Sequence, residues 1–186
     1  MRAILESERL ILDDWRAADA GPLAALNADP EVMRHIGSGA RSPERARAEA
    51  AAFLAAPQPL PLGLWAIRER ARRGFLGWVG LLSLEGGEEI ELGYRLPRHA
   101  WGRGVASEAA GRLLRHGFED LRLARIVAVT SRDNTGSQRV LAKLGFRYRG
   151  LRRLYGIDDV WYYDLSGRHW RWLRELRRGL ASGARA

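Results

Sequence analysis

The chain of 186 residues carries 31 lysine and arginine residues against 22 aspartate and glutamate residues, which gives a formal net charge of +9, and 46% of its residues are hydrophobic. This length and apolar content predict a single globular domain over residues 1–186 with a full core. The absence of cysteine excludes disulfides, thiolate metal sites and a cysteine nucleophile, and the four scattered histidines give no reason to expect a metal. No apolar run reaches the length of a membrane span and no leader pattern stands at the start, so we expect a cytoplasmic protein.

The positive charge permits an anionic ligand but does not identify one. Lys143 is the only lysine, and this bias towards arginine is as typical of a coding preference as of phosphate binding. The charge would still attract an anionic cofactor, and it leaves open that the arginine-rich tail docks on RNA.

The first third of the chain predicts one strand and then helices. Alternating apolar residues predict an edge strand over Glu8–Arg16, and helical spacing of leucines predicts a helix over Asp19–Ala28. Ser42 followed by Pro43 is a helix start that leads into a helix ending near Ala55. These helices are expected to form one wall of a cleft.

The middle of the chain predicts an antiparallel meander followed by a long helix. The three strands are expected at Gly63–Glu69, Phe75–Leu84 and Glu88–Leu96, and the helix, with its polar face in solvent, at Arg103–Leu121. The short apolar run Arg125–Thr130 is typical of a strand inside a sheet. A strand, a helix and a second strand in this order favour one parallel pairing in an otherwise antiparallel sheet.

The last part predicts a helix, two strands and a helical tail. Thr135 and Gln138 have the spacing of a capping box for a helix that ends at Gly145. Strands are then expected at Phe146–Leu154 and Val160–Leu165. In the tail, about residues 167–182, an apolar stripe is expected either to cap the sheet or to support a homodimer; it consists of Trp170, Leu173, Leu176 and Leu180. The predicted fold is α/β, with three layers.

A glycine-rich run follows the third meander strand and opens the long helix. The N–H groups of a helix's first turn have no intrahelical partner, and the helix dipole places partial positive charge beside them. Gly102 and Gly104 would let an anion approach the main chain closely. The run therefore predicts a phosphate site, with a simple turn as the alternative.

Two segments together resemble a known family. The sequences IELGYRLPRHAWGRGVASEA and NTGSQRVLAKLGF, separated by a strand, are similar to the GNAT superfamily of N-acyltransferases, and within it to the RimJ/RimL branch of protein N-terminal acetyltransferases. The resemblance implies a mostly antiparallel mixed sheet with one parallel, splayed pair, flanked by helices. It also implies transfer of an acetyl group from acetyl-CoA to a primary amine, with no metal.

The resemblance assigns the acetyl-CoA contacts to two short runs. The diphosphate is expected on the backbone N–H groups of residues 102–107, which are Gly102, Arg103, Gly104, Val105, Ala106 and Ser107. Trp101 stands where the superfamily usually has Gln or Arg, so it either belongs to this site or anchors the loop by packing. The main-chain groups of Tyr94, Arg95 and Leu96 are expected to pair with the pantetheine arm like an added strand.

The resemblance also suggests three catalytic side chains. Glu91 matches a general base, and burial in a cleft would raise its pKa; the alternative is a solvent-facing strand residue. Ser137 matches a serine that contacts the coenzyme A sulfur, because the tyrosine acid of many members is replaced here by Leu141. Asn134 matches an asparagine that binds the pantetheine. The alternatives are a serine bonded to its own helix and an asparagine in a turn.

The acceptor is expected to be an amine of low pKa. At pH 7, neutralising an α-amine costs only ~1 kcal/mol, whereas a lysine side chain costs ~4.6 kcal/mol. A site without a tyrosine acid at position 141 therefore favours a protein or peptide N-terminal α-amine. The alternatives are a small amine such as an aminoglycoside or polyamine, or a non-catalytic module that binds coenzyme A or RNA.

Overall fold

The computed structural model describes residues 4–37 and 39–183, and these residues contain one eight-stranded sheet. The strand order is β1-β2-β3-β4-β5-β6-β8-β7. The strands are β1 Leu5–Glu6, β2 Leu10–Asp13, β3 Gly63–Glu69, β4 Phe75–Ser83, β5 Ile90–Arg95, β6 Arg125–Thr130, β7 Arg147–Leu154 and β8 Ile157–Ser166. The pair β5–β6 is parallel, and the other neighbours in this sheet are antiparallel.

Helices cover both faces of this sheet. They are α1 Ala20–Ala28, α2 Pro30–Met33, α3 Pro43–Ala55, α4 Val105–Arg115, α5 Thr135–Leu144 and α6 Gly167–Gly183. The largest apolar cluster joins buried residues of α4 and α5 to one face of the sheet, and a second cluster joins α1 and α3 to aromatic residues near the other face. The predicted three-layer α/β fold with one parallel pair is confirmed.

The parallel pair separates almost as soon as it forms. The register between β5 and β6 contains a single Cα pair, Glu91 with Val127, although β5 continues to Arg95. β5 pairs with β4 along its whole length on its other side. Beyond Glu91, no strand among the described residues pairs with the edge of β5 that faces β6. An opening therefore forms in the middle of the sheet.

The predicted first strand, Glu8–Arg16, is confirmed over Leu10–Asp13, which forms β2, but it is shorter than predicted and does not lie at the edge of the sheet. The edge is β1, and the turn between β1 and β2 is held by Glu108 of α4. The Glu108 Oε1 atom accepts hydrogen bonds from the Ser7 hydroxyl at 2.8 Å and from the Arg9 N–H at 2.8 Å. The polar face of α4 is consequently not a purely solvated surface, because it fixes the N-terminal turn.

The long helix also ends earlier than predicted. Regular α-helix stops at Arg115, and His116–Asp120 form a π-helical turn in which the Leu121 N–H donates to the His116 carbonyl. Gly117 lies so close to β6 that an added Cβ would stand 2.9 Å from the Ile126 side chain. Close packing against the sheet accompanies this wider turn.

The tail forms a helix, as predicted, but the residues of its apolar stripe differ in burial. Trp170 is buried, with its ring centroid 5.2 Å from that of Phe118, whereas Leu176 is 45% exposed. The side chain of Leu180 lies outside the described residues. The start of α6 therefore caps the sheet, and the homodimer stays a prediction. Within residues 4–37 and 39–183, none of the helices combines the length and apolar character needed to span a bilayer.

Candidate functional site

The opening between β5 and β6 lies beside the N-terminus of α4. Gly102 and Gly104 have φ angles of +70° and +78°, a left-handed conformation that a residue with a Cβ adopts only at a cost. Gly104 is the N-cap and provides no side-chain acceptor, and the first helical bond runs from the Glu108 N–H to the Gly104 carbonyl at 3.0 Å. The N–H groups of residues 105–107 are thus available to an anion. Val105 is buried, which anchors the turn in the core.

Two cationic side chains, Arg9 and Lys143, lie beside the N-terminus of α4 and were not identified as site residues from the sequence. A shallow pocket of about 430 Å³ is lined by Gly104, Ser107, Glu108 and Glu8 together with Arg9 and Lys143. The Arg9 guanidinium donates to the Arg103 carbonyl at 3.2 Å and to Glu108 at 2.7 Å. Arg9 precedes Gly104 by 95 positions, so no local motif connects them.

Trp101 holds the glycine-rich loop against the end of β5. Its indole Nε1–H donates to the Leu96 carbonyl at 2.8 Å, while the ring is 47% exposed. This contact favours the loop-anchor interpretation of Trp101. It also gives the Leu96 carbonyl a partner, so this carbonyl is not a free strand-edge acceptor.

A pair of hydroxyl groups spans the opening. The Tyr94 hydroxyl of β5 lies 3.0 Å from Ser137 Oγ in the first turn of α5, and either group can donate. Burial raises the pKa of Tyr94 to about 12, so the phenol keeps its proton at neutral pH. Ser137 therefore has a partner outside its own helix, and the Tyr94 side chain is a functional candidate that sequence reasoning missed.

Asn134 has a structural task at the start of α5. Its Oδ1 accepts the Ser137 N–H at 3.0 Å, which makes it the N-cap of the helix. The predicted capping box of Thr135 and Gln138 is wrong, since the Gln138 amide donates to the Arg132 carbonyl at 2.6 Å instead. Asn134 fixes the backbone that presents Ser137, and contact with a ligand stays a prediction.

Glu91 projects from the opposite face of β5 to Tyr94. Strand alternation places residues 91, 93 and 95 on one face and 90, 92 and 94 on the other; Leu92 belongs to the core with α4 and α5. Burial raises the pKa of Glu91, and the Glu85 carboxylate adds to this, while a hydrogen bond from the Tyr155 hydroxyl opposes it. Tyr155, in the β7–β8 turn, is a second residue that the sequence analysis missed.

Arg95 shares the Glu91 face and ends β5. Its Nη1 donates to Asn27 Oδ1 at 2.5 Å, and its guanidinium carbon lies 5.3 Å from the centroid of the Trp78 ring. The opening thus has a pair of hydroxyl groups on the α5 side and a carboxyl and a guanidinium on the side of α1 and α3. This arrangement suits a reaction between two ligands that enter from opposite faces of the sheet.

Comparison with known proteins gives a consistent result. Residues 9–147 match the family model described as an acetyltransferase (GNAT) domain. The uncharacterized N-acetyltransferase YoaA of Bacillus subtilis is 34% identical over 168 residues, covering 89% of this chain and 95% of its own. The "Putative ribosomal N-acetyltransferase YdaF" of the same organism is 31% identical over 100 residues, covering 49% of this chain and 55% of its own.

A solved structure confirms the fold. The GNAT-family acetyltransferase of Bacillus anthracis superposes with a TM-score of 0.76, with 24% sequence identity, and the match covers 89% of this chain and 99% of that chain.

Proposed function

Because the chain belongs to the GNAT acetyltransferase family, whose members transfer an acetyl group from acetyl-CoA to an amine, we propose that its acceptor is a protein or peptide N-terminal α-amine and that it falls in the RimJ/RimL-like branch. The observation that carries the proposal is the placement of the Glu91 carboxyl and the Tyr94–Ser137 hydroxyl pair on opposite faces of β5 at the opening of the sheet.

The residues present fit acetyl-CoA. An uncapped α4 N-terminus with two left-handed glycines can hold a diphosphate through the N–H groups of residues 102–107. The edge of β5 at Tyr94 and Arg95 offers main-chain groups to the amide-bearing pantetheine arm, as an added strand would use them. Bound there, acetyl-CoA supplies an activated acyl group as a thioester.

Glu91 acts as the general base in this mechanism. Partial burial raises the pKa of the Glu91 carboxyl above its ordinary value, which makes it a better proton acceptor when it is ionised. The carboxylate removes a proton from the incoming amine, directly or through one water. A buried carboxylate also attracts the cationic form of that amine into the cleft.

Tyr94 and Ser137 supply the proton for the departing sulfur. A phenol whose pKa is about 12 is fully protonated at pH 7, and its partner Ser137 can pass or accept the same proton. The two hydroxyls replace the tyrosine that other members carry at the position of Leu141. Leu141 is buried in the core at 1% exposure, so it takes no part in the chemistry.

The α-amine is favoured by its chemistry and by one relative. With one carboxylate as base, an amine of pKa ~7.7–8.0 needs much less help to lose its proton than a lysine of pKa ~10.4. The similarity to YdaF, named a putative ribosomal N-acetyltransferase, supports an acceptor of the ribosomal-protein type.

The test of this function is incubation of the purified protein with labelled acetyl-CoA and a panel of peptides, lysine side-chain analogues, polyamines and aminoglycosides. We expect label on the α-amine of peptides, located by mass spectrometry. Label on polyamines or aminoglycosides alone would identify a small-molecule enzyme. Coenzyme A binding with no labelled product would favour the non-catalytic alternative.

Gly104→Val is expected to weaken acetyl-CoA binding by about 10- to 100-fold. A β-branched residue at φ +78° costs on the order of 1–3 kcal/mol, and relaxing that strain displaces the N–H groups that hold the diphosphate. Isothermal titration calorimetry measures the affinity. Gly150→Val is the matched control, because Gly150 in β7 also has a positive φ angle, +114°. An equal loss of acetyl-CoA affinity in both variants would contradict diphosphate binding at the N-terminus of α4.

Tyr155→Phe is expected to move the acidic limb of the kcat/KM profile to higher pH. The Tyr155 hydrogen bond lowers the pKa of Glu91, so its removal raises this pKa further, and the ionised base is then lost at a higher pH as the solution is acidified. Tyr148→Phe, in the exposed part of β7, serves as the control. An unchanged or lowered acidic limb in Tyr155→Phe would contradict the role of Glu91 as the titrating base.

A further inference from the structure

The Arg95 guanidinium lies on the side of the opening that faces α1 and α3, and among residues 4–37 and 39–183 it forms no ion pair; the Glu49 carboxylate acts on it only from a distance. Within the described residues, its one hydrogen bond goes to the neutral Asn27 amide, and its Nε is buried with no partner. Burial lowers the pKa of Arg95 to about 10, and the nearby Arg41 charge adds to this effect. A buried cation with an unsatisfied donor is costly unless something supplies the missing acceptor.

The surroundings of Arg95 carry an excess of positive charge. Asn27 joins the two arginines, since its side chain accepts from Arg95 and its carbonyl accepts the Arg41 N–H at 3.0 Å. The nearest carboxylate, Glu49, is already bound by Arg41 at 3.1 Å and by Arg45 at 2.7 Å. Glu49 is thus bonded to two arginines and reaches Arg95 only through its field. Within the part of the chain that the structure describes, the positive charges of these three arginines exceed the single negative charge of Glu49.

Glu91 lies at the other end of the same strand face. The two residues are four positions apart in β5, which corresponds to about 13 Å along a strand. Gly93, between them, contributes no side chain, and a Cβ there would approach the Trp78 ring at 3.5 Å. The cleft therefore carries opposite charges at its two ends, and between them Gly93 leaves room for the Trp78 ring, over which an extended ligand would lie.

We propose that Arg95, supported by Arg41, is an anion-binding subsite that selects acceptors carrying a carboxylate on the order of 10 Å from the reactive amine. In an extended peptide, at ~3.3–3.6 Å per residue, this separation matches a glutamate or aspartate at about the third position. The amine lies at Glu91, and the carboxylate accepts hydrogen bonds from the Arg95 Nη–H groups that are not bonded to Asn27. This inference rests on the proposed function, because it names the acceptor class of the same site.

The experiment measures peptide binding to the protein saturated with coenzyme A, which requires no turnover. The probes are Ala-Ala-Glu-Ala-amide and Ala-Ala-Gln-Ala-amide, which differ only in the charge at the third position. We expect the acidic peptide to bind about 10- to 100-fold more tightly, as for hydrogen bonds between charged groups. In Arg95→Met this ratio is expected to fall to about one, whereas Arg95→Lys retains part of it.

Arg98→Met is the matched control, because Arg98 follows β5 closely but its side chain is exposed and paired with Asp29 at 3.1 Å. It should leave the binding ratio unchanged. Equal binding of both peptides, a preference that survives in Arg95→Met, or no binding of either peptide would each overturn the subsite. Charge-selective binding without acetylation of the bound peptide would uphold the subsite and contradict the proposed function, so the two fail separately.

Discussion

Glu91→Gln is expected to lower kcat/KM by about 10²- to 10⁴-fold, the usual contribution of a positioned general base. The amide keeps the size of the carboxyl group and can still accept the Tyr155 hydrogen bond, so the loss reports proton transfer and charge. The acidic limb of the pH profile should disappear with the carboxyl group, because the pKa that defines it belongs to Glu91. Initial rates across pH 5–9 with a peptide acceptor measure both effects.

Glu88→Gln provides the matched control for this variant. Glu88 is exposed in the connection before β5, so its loss changes the net charge equally without touching the cleft. Acetyl-CoA affinity should be the same in both variants, since Glu91 lies on the strand face away from α4 and α5. A Glu91→Gln enzyme that retains at least a third of the wild-type rate would remove Glu91 from the mechanism.

Tyr94→Phe is expected to lower kcat by about 10²-fold, at the lower end of the range for general acid catalysis. The ring keeps its packing and only the hydroxyl is removed, so Ser137 loses its partner 3.0 Å away. The departing thiolate then has to take its proton from water. Release of free coenzyme A thiol, followed by a colorimetric thiol reagent, measures the rate.

The hydroxyl pair predicts a specific pattern in a double-mutant cycle. If Tyr94 and Ser137 transfer one proton together, Tyr94→Phe with Ser137→Ala should be about as slow as Tyr94→Phe alone, because residues that act as a unit are not additive. Acetyl-CoA affinity and the thermal unfolding midpoint should remain near wild type in each single variant. Full additivity of the two losses, or a fully active Tyr94→Phe, would contradict a shared role.

The predictions that depended on local residues were mostly confirmed. The strand Gly63–Glu69, the strand Arg125–Thr130 and the helix start at Ser42 agree with the structure, because side-chain periodicity and capping act over a few residues. The left-handed glycines of the loop follow from the same local logic. The differences occur where distant contacts decide the structure, as when Glu108 binds the turn at residues 7–9, so that the predicted first strand begins only at Leu10 and β1 precedes it.

By itself, the sequence determined the fold class, the glycine-rich turn that opens α4 and the family, because these are expressed in short motifs with fixed spacing. The tertiary structure alone decided which side chains share the site. Tyr94 and Ser137 are 43 positions apart, and Glu91 and Tyr155 are 64 apart. Such pairs form only after the sheet has assembled and β5 has parted from β6. Their hydrogen bonds and raised pKa values depend on burial by residues from several elements, which no local pattern encodes.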